Sequence, residues 1–71
     1  MMLSLSERLF AALYYCGGVQ ETGDMIREAL PDIFCPDTLA TARSVLRKLE
    51  SMTDDELASQ LTEEMLRGYA A

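Results

Sequence analysis

Apolar residues recur at helical spacing in four stretches of this chain, and residues that start or stop helices bound each stretch. The first runs from Leu5 to Cys16. Ser4 is placed as its N-cap, Glu7 three residues on completes a capping box, and Gly17-Gly18 stops it. At helical pitch Leu5, Leu9, Ala12, Leu13 and Cys16 fall on one side, while Phe10 and Tyr14 fall away from it. Apolar surface thus covers most of the circumference. Such a helix needs neighbours on more than one side.

The second pattern starts at Thr22 or Gly23, with Thr22 as N-cap and Asp24 at the positive end of the dipole. Met25, Ile26, Ala29 and Leu30 form its face, and Pro31 ends or kinks it. Between Pro31 and Pro36, Asp32 is followed by three consecutive apolar residues, Ile33, Phe34 and Cys35, where connections are normally polar. Pro31 suits the start of one more helical turn. Ile33 and Phe34 are expected to plug the core, with an exposed partner-binding knob as the alternative.

A third helix is expected from Asp37 or Thr38 to about Ser51. Leu39, Ala42, Val45, Leu46, Leu49 and Met52 form its apolar arc, and Arg43, Ser44, Arg47, Lys48 and Ser51 fill the rest. Thr53-Asp54-Asp55-Glu56 is a second capping box with three acids in the first turn. It opens a fourth helix with Leu57, Ala58, Leu61 and Met65 as its stripe and Gly68 as its stop. No internal repeat, low-complexity run or convincing strand interrupts this order.

These elements predict an all-α fold, a single compact four-helix domain over residues 1–71, with Leu9, Leu13, Ile26, Leu30, Leu46, Leu49, Leu57 and Leu61 inside. A chain of this length buries only about 60% of its surface on folding. Phe10 and Tyr14, left over on the first helix, therefore suggest a homodimer that buries them.

Composition narrows the function. At 49% hydrophobic, with four Gly and two Pro, the chain is built to fold. Twelve acidic against six basic residues give a net charge of −6, which disfavours undirected binding to nucleic acid or anionic membrane and favours a basic partner surface. There is no His, so a Ser or Cys nucleophile lacks its usual base and a zinc set cannot be completed. No pair of acids sits in an apolar setting suited to acid–base work, and phosphate-binding glycine patterns and calcium loops are absent. The reading is non-enzymatic, with no cofactor and no metal.

Cys16 and Cys35 are expected to be buried free thiols. Glu7 and Arg8 stand where an export signal would carry a basic region, and Tyr14-Tyr15 stand where cleavage needs small residues. No run is long enough to span a bilayer, and the protein is read as cytoplasmic.

Three modes of action fit. Helices over Leu5–Cys16, Asp24–Leu30 and Thr38–Ser51 have the order and approximate lengths of the three-helix core of winged-helix regulators. The segment Thr41-Ala42-Arg43-Ser44-Val45-Leu46-Arg47-Lys48-Leu49-Glu50 resembles their recognition helix. The resemblance covers residues 5 to 52 and implies DNA binding through Arg43, Arg47 and Lys48. It departs from that family in a longer, more apolar connection over Pro31–Asp37 and in an acidic fourth helix where a strand hairpin is expected. The second mode is that of an acidic inhibitor or regulator. In size and composition the chain resembles inhibitors encoded by phages and mobile elements, some of which occupy nucleic-acid-binding grooves, and Asp54, Asp55, Glu56, Glu63 and Glu64 would steer it onto a basic protein surface. The third is an interaction module or small subunit working through hydrophobic contact, with Ile33 and Phe34 at the contact and five methionines adapting to it. The last two agree on a protein partner, which is the primary reading, and DNA binding is the alternative.

Overall fold

The computed structural model describes residues 2–61. At its start Ser4 and Glu7 close the expected capping box. Ser4 Oγ accepts the Glu7 N–H at 3.2 Å, Glu7 Oε1 accepts the Ser4 N–H at 2.7 Å, and helix α1 runs over Leu5–Tyr14. Gly17 follows with φ of 100°, a left-handed conformation that favours glycine, and turns the chain into α2.

Helix α2, Val19–Ala29, begins three residues ahead of Thr22. Its first N–H, that of Val19, is donated to Asp54 Oδ1 at 2.9 Å, so the cap comes from 35 residues away. Gly18 lies against this cap: a Cβ there would stand 2.3 Å from the Glu21 carboxylate and 3.3 Å from Asp54. Thr22 lies inside the helix, fully buried, and its hydroxyl accepts the Cys16 N–H at 3.1 Å, joining the end of α1 to α2.

One more turn does form at Pro31, a 3-10 turn over Leu30–Asp32, but it begins at Leu30 and Pro31 is its second residue. Helix α3, Pro36–Leu49, then begins with proline at its first position, where the missing N–H costs nothing. Helix α4, Asp54–Gln60, carries the predicted capping box: Thr53 Oγ1 accepts the Glu56 N–H and Glu56 Oε1 accepts the Thr53 N–H, both at 3.1 Å. It ends where Leu61 turns extended, with φ −106° and ψ 109°. The predicted continuation through Met65 to Gly68 lies outside the described residues.

Helix α3 packs against both α1 and α2 and is the centre of the molecule. Leu3, Phe10, Ala11, Ile26, Ala42, Val45, Leu49, Met52, Leu57 and Leu61 form one core, and the Leu3 N–H reaches Gln60 Oε1 at 2.7 Å to tie the chain's start to α4. All elements among the described residues are helical. Ile26, Leu49, Leu57 and Leu61 are inside as predicted, and Leu9, Leu30 and Leu46 are half-buried.

The rotation of α1 is a correction. Leu5 is 58% exposed and Leu13 51% exposed, and Cys16 is exposed too, whereas Phe10 is 7% exposed and its ring lies against that of Tyr14, tilted by 42° with centroids 5.1 Å apart. Of the face predicted to be inside, Ala12 is buried and Leu9 half-buried, but Leu5, Leu13 and Cys16 are outside. Glu7 is buried at 6% exposure and bound by Ser44 and Lys48 of α3, so the side of α1 that carries Glu7, Phe10, Ala11 and Tyr14 faces the core. Phe10 and Tyr14 are consequently no surplus surface for a dimer.

Candidate functional site

Ile33 and Phe34 part company in the structure. The Ile33 N–H donates to Leu30 O at 3.1 Å, and the backbone then runs extended through Ile33 and Cys35 before Pro36 opens α3. Extended backbone sends successive side chains to opposite sides, and a residue before proline is held extended. Ile33 therefore packs on the core, while Phe34 is 89% exposed. Phe34 does not plug the core. It stands out between Asp32 and Asp37, both exposed, on a segment anchored at one end by the 3-10 turn and at the other by the Leu39 N–H donated to Cys35 O at 2.9 Å.

The cysteines are free, as expected, but both are exposed rather than buried. Cys35 sits at the N-cap of α3, where the Thr38 backbone N–H, the Thr38 hydroxyl and the Asp37 N–H draw its thiol pKa below the ordinary value.

The acidic residues separate as well. Asp54 caps α2, Glu56 closes its own capping box, and Asp55 is exposed, while Glu63 and Glu64 lie outside the described residues. Backbone hydrogen bonding to Thr53 comes first among the causes that lower the Glu56 pKa.

On α3, Arg43 and Arg47 are exposed one turn apart. Lys48 is not with them: its Nζ lies 2.6 Å from Glu7 Oε1 and 3.5 Å from Met2 O. Ser44 donates to the other Glu7 oxygen. Burial raises the Glu7 pKa, but the bonds from Lys48, Ser4 and Ser44 outweigh it and bring the group from 4.5 down to about 2. Residue patterning misses this α1–α3 clasp, because Glu7 already has a role as a capping-box acid and Lys48 reads as part of a solvated face. No local signal marks Asp54 as a cap for α2 either.

A shallow depression of about 220 Å³ is lined by Val19, Gln20, Arg27, Leu49, Glu50 and Met52. It falls below the roughly 300–1,000 Å³ typical of small-molecule sites. Among the described residues no group of three or more Cys, Asp or Glu side chains is placed to hold a metal ion, and no helix is long and apolar enough to cross a membrane. What these residues display is a projecting aromatic with two flanking carboxylates, and a pair of arginines on α3. No family model, curated protein or solved structure matches the chain.

Proposed function

We propose that this protein acts without catalysis by binding another protein, and that Phe34 is the anchor of the contact. One observation carries the reading: a phenylalanine 89% exposed on a segment held at both ends. Leaving a Phe in water forgoes about 1.5–3 kcal/mol of burial, which a partner pocket recovers. Aromatic anchors seated in pockets dominate interfaces, and a fixed backbone reduces the ordering cost of seating one. Asp32 and Asp37 beside it, in a chain of net charge −6, favour a pocket with a basic rim. An inhibitor or regulator of a nucleic-acid-binding machine, of the kind mobile elements encode, is one concrete form of this role.

A second reading, DNA binding through α3, is supported by the exposure of Arg43 and Arg47 one turn apart on the helix that follows the Leu30–Cys35 connection. Lys48 adds less to it, because its charge is engaged by Glu7. One experiment separates the two. The parent protein and Phe34→Ala are used as bait in lysate of the native host, with a gel shift on genomic fragments beside them. A protein retained by the parent and lost by a folded Phe34→Ala supports the proposal. A specific DNA site bound by the parent and lost on replacing Arg43 and Arg47, with no protein retained, supports the alternative.

A further inference from the structure

Among the described residues α4 is the shortest α-helix, at seven residues, well under the roughly 12–15 that an isolated helix needs in water. Helices α1, α2 and α3 pack closely on one another, and the backbone of α4 makes no comparable approach to any of them. It is seated through side chains instead. Leu57, fully buried, enters the core from its middle, and Leu61 follows at its end. At opposite ends of α4, Asp54 and Gln60 each accept a backbone N–H that belongs elsewhere in the fold. Asp54 takes that of Val19, which opens α2, at 2.9 Å, and Gln60 takes that of Leu3, ahead of α1, at 2.7 Å.

Both partners depend on α4. Residue patterning starts α2 at Thr22, and Gly18, at the N-cap of the observed helix, has no side chain to hold the turn ahead of it. Without Asp54 that turn loses its cap, and α2 shortens toward Thr22. Without Gln60, Leu3 loses its tether although it is 2% exposed. The other three helices are joined differently. Lys48 and Ser44 of α3 hold Glu7 of α1, and Phe10, Ile26 and Val45 bring one buried side chain from each helix into the core. None of these residues lies on α4. We propose that α4 is a detachable strap: it opens as one unit, releasing Leu3 and unwinding the first turn of α2, while α1, the rest of α2 and α3 stay folded. The open form uncovers Leu3, Met52, Leu57 and Leu61, an apolar surface that the closed form buries. This device is separate from Phe34 and does not rest on the role given to it.

Native-state hydrogen exchange of the full chain, followed amide by amide by NMR in rising but non-denaturing urea, tests the proposal. The amides of Leu3, Val19, Thr22 and Leu57 are expected to exchange as one group, at least about tenfold faster than those of Phe10, Ile26 and Val45. Their dependence on urea should be shallower, because opening the strap exposes less surface than global unfolding. Gln60→Ala removes the bond to Leu3 at the end of α4 away from Val19. It should speed exchange at Val19, Thr22 and Leu57 by the same factor as at Leu3, about three- to tenfold, the worth of one hydrogen bond. The proposal is overturned if the four amides exchange only with global unfolding alongside Val45, or if Gln60→Ala speeds Leu3 and leaves Val19 and Thr22 as they were.

Discussion

Glu7 shows how one side chain orients a helix. Its carboxylate accepts from Ser4, Ser44 and Lys48, so a group that burial alone would push toward neutrality stays ionised with a pKa of about 2. A folded-state pKa below the unfolded one stabilises the fold at pH above the unfolded value. That contribution is then lost as pH falls through the folded value. The window is from about 4.5 down to about 2, and the shift corresponds to about 3 kcal/mol. Glu7→Gln should therefore lower stability at pH 7 by about 2–3 kcal/mol, leaving Lys48 without its counter-charge. Its difference from the parent should shrink as the pH is taken from 5 to 2. Urea unfolding at several pH values measures both, and a difference that stays constant with pH would show that the clasp is not what the substitution removes.

At the scale of the element, α1 carries leucines on the face turned to solvent and a glutamate on the face turned inward. Truncation separates the two faces. Leu57→Ala removes a fully buried side chain from α4 and should cost about 2–5 kcal/mol, much of what a domain of this size has. Leu13→Ala, at a half-exposed position, should cost under about 1 kcal/mol in dilute monomer. Thermal melts of the two variants at low micromolar concentration check the difference. Equal losses would mean that α1 is turned the other way in solution.

For the molecule as a whole, the cross-element polar contacts decide which charges are already engaged within the fold. Asp54 is engaged at the start of α2 and Lys48 at Glu7, while Asp32, Asp37, Asp55, Arg43 and Arg47 face water. The two carboxylates nearest Phe34 in the sequence, both exposed, should then govern approach to a partner rather than the hold on it. Replacing Asp32 and Asp37 by Lys should slow association with a basic partner by about tenfold or more at low salt and flatten its salt dependence. Phe34→Ala should instead speed dissociation and leave the salt dependence unchanged. Surface plasmon resonance at two ionic strengths, with the protein that the parent retains, distinguishes them.

What the sequence determined by itself was local. Both capping boxes, the extra turn at Pro31, the four helices and the apolar arc of α3 follow from interactions between residues three or four apart, and such interactions are written in the order of the chain. The tertiary structure decided the rest, because it depended on groups 35 to 41 residues apart. Hydrophobic periodicity assigns the inward side of a helix by counting apolar residues, and on α1 the count favours the leucines. Once Lys48 and Ser44 satisfy Glu7, its burial no longer carries the penalty of an unpaired charge, and the helix turns with it. Likewise Asp54 extends α2 back to Val19, and the extended backbone before Pro36 sends Ile33 inward and Phe34 out. Which of two adjacent apolar residues faces water depends on where the core lies, and only the packed molecule supplies that direction.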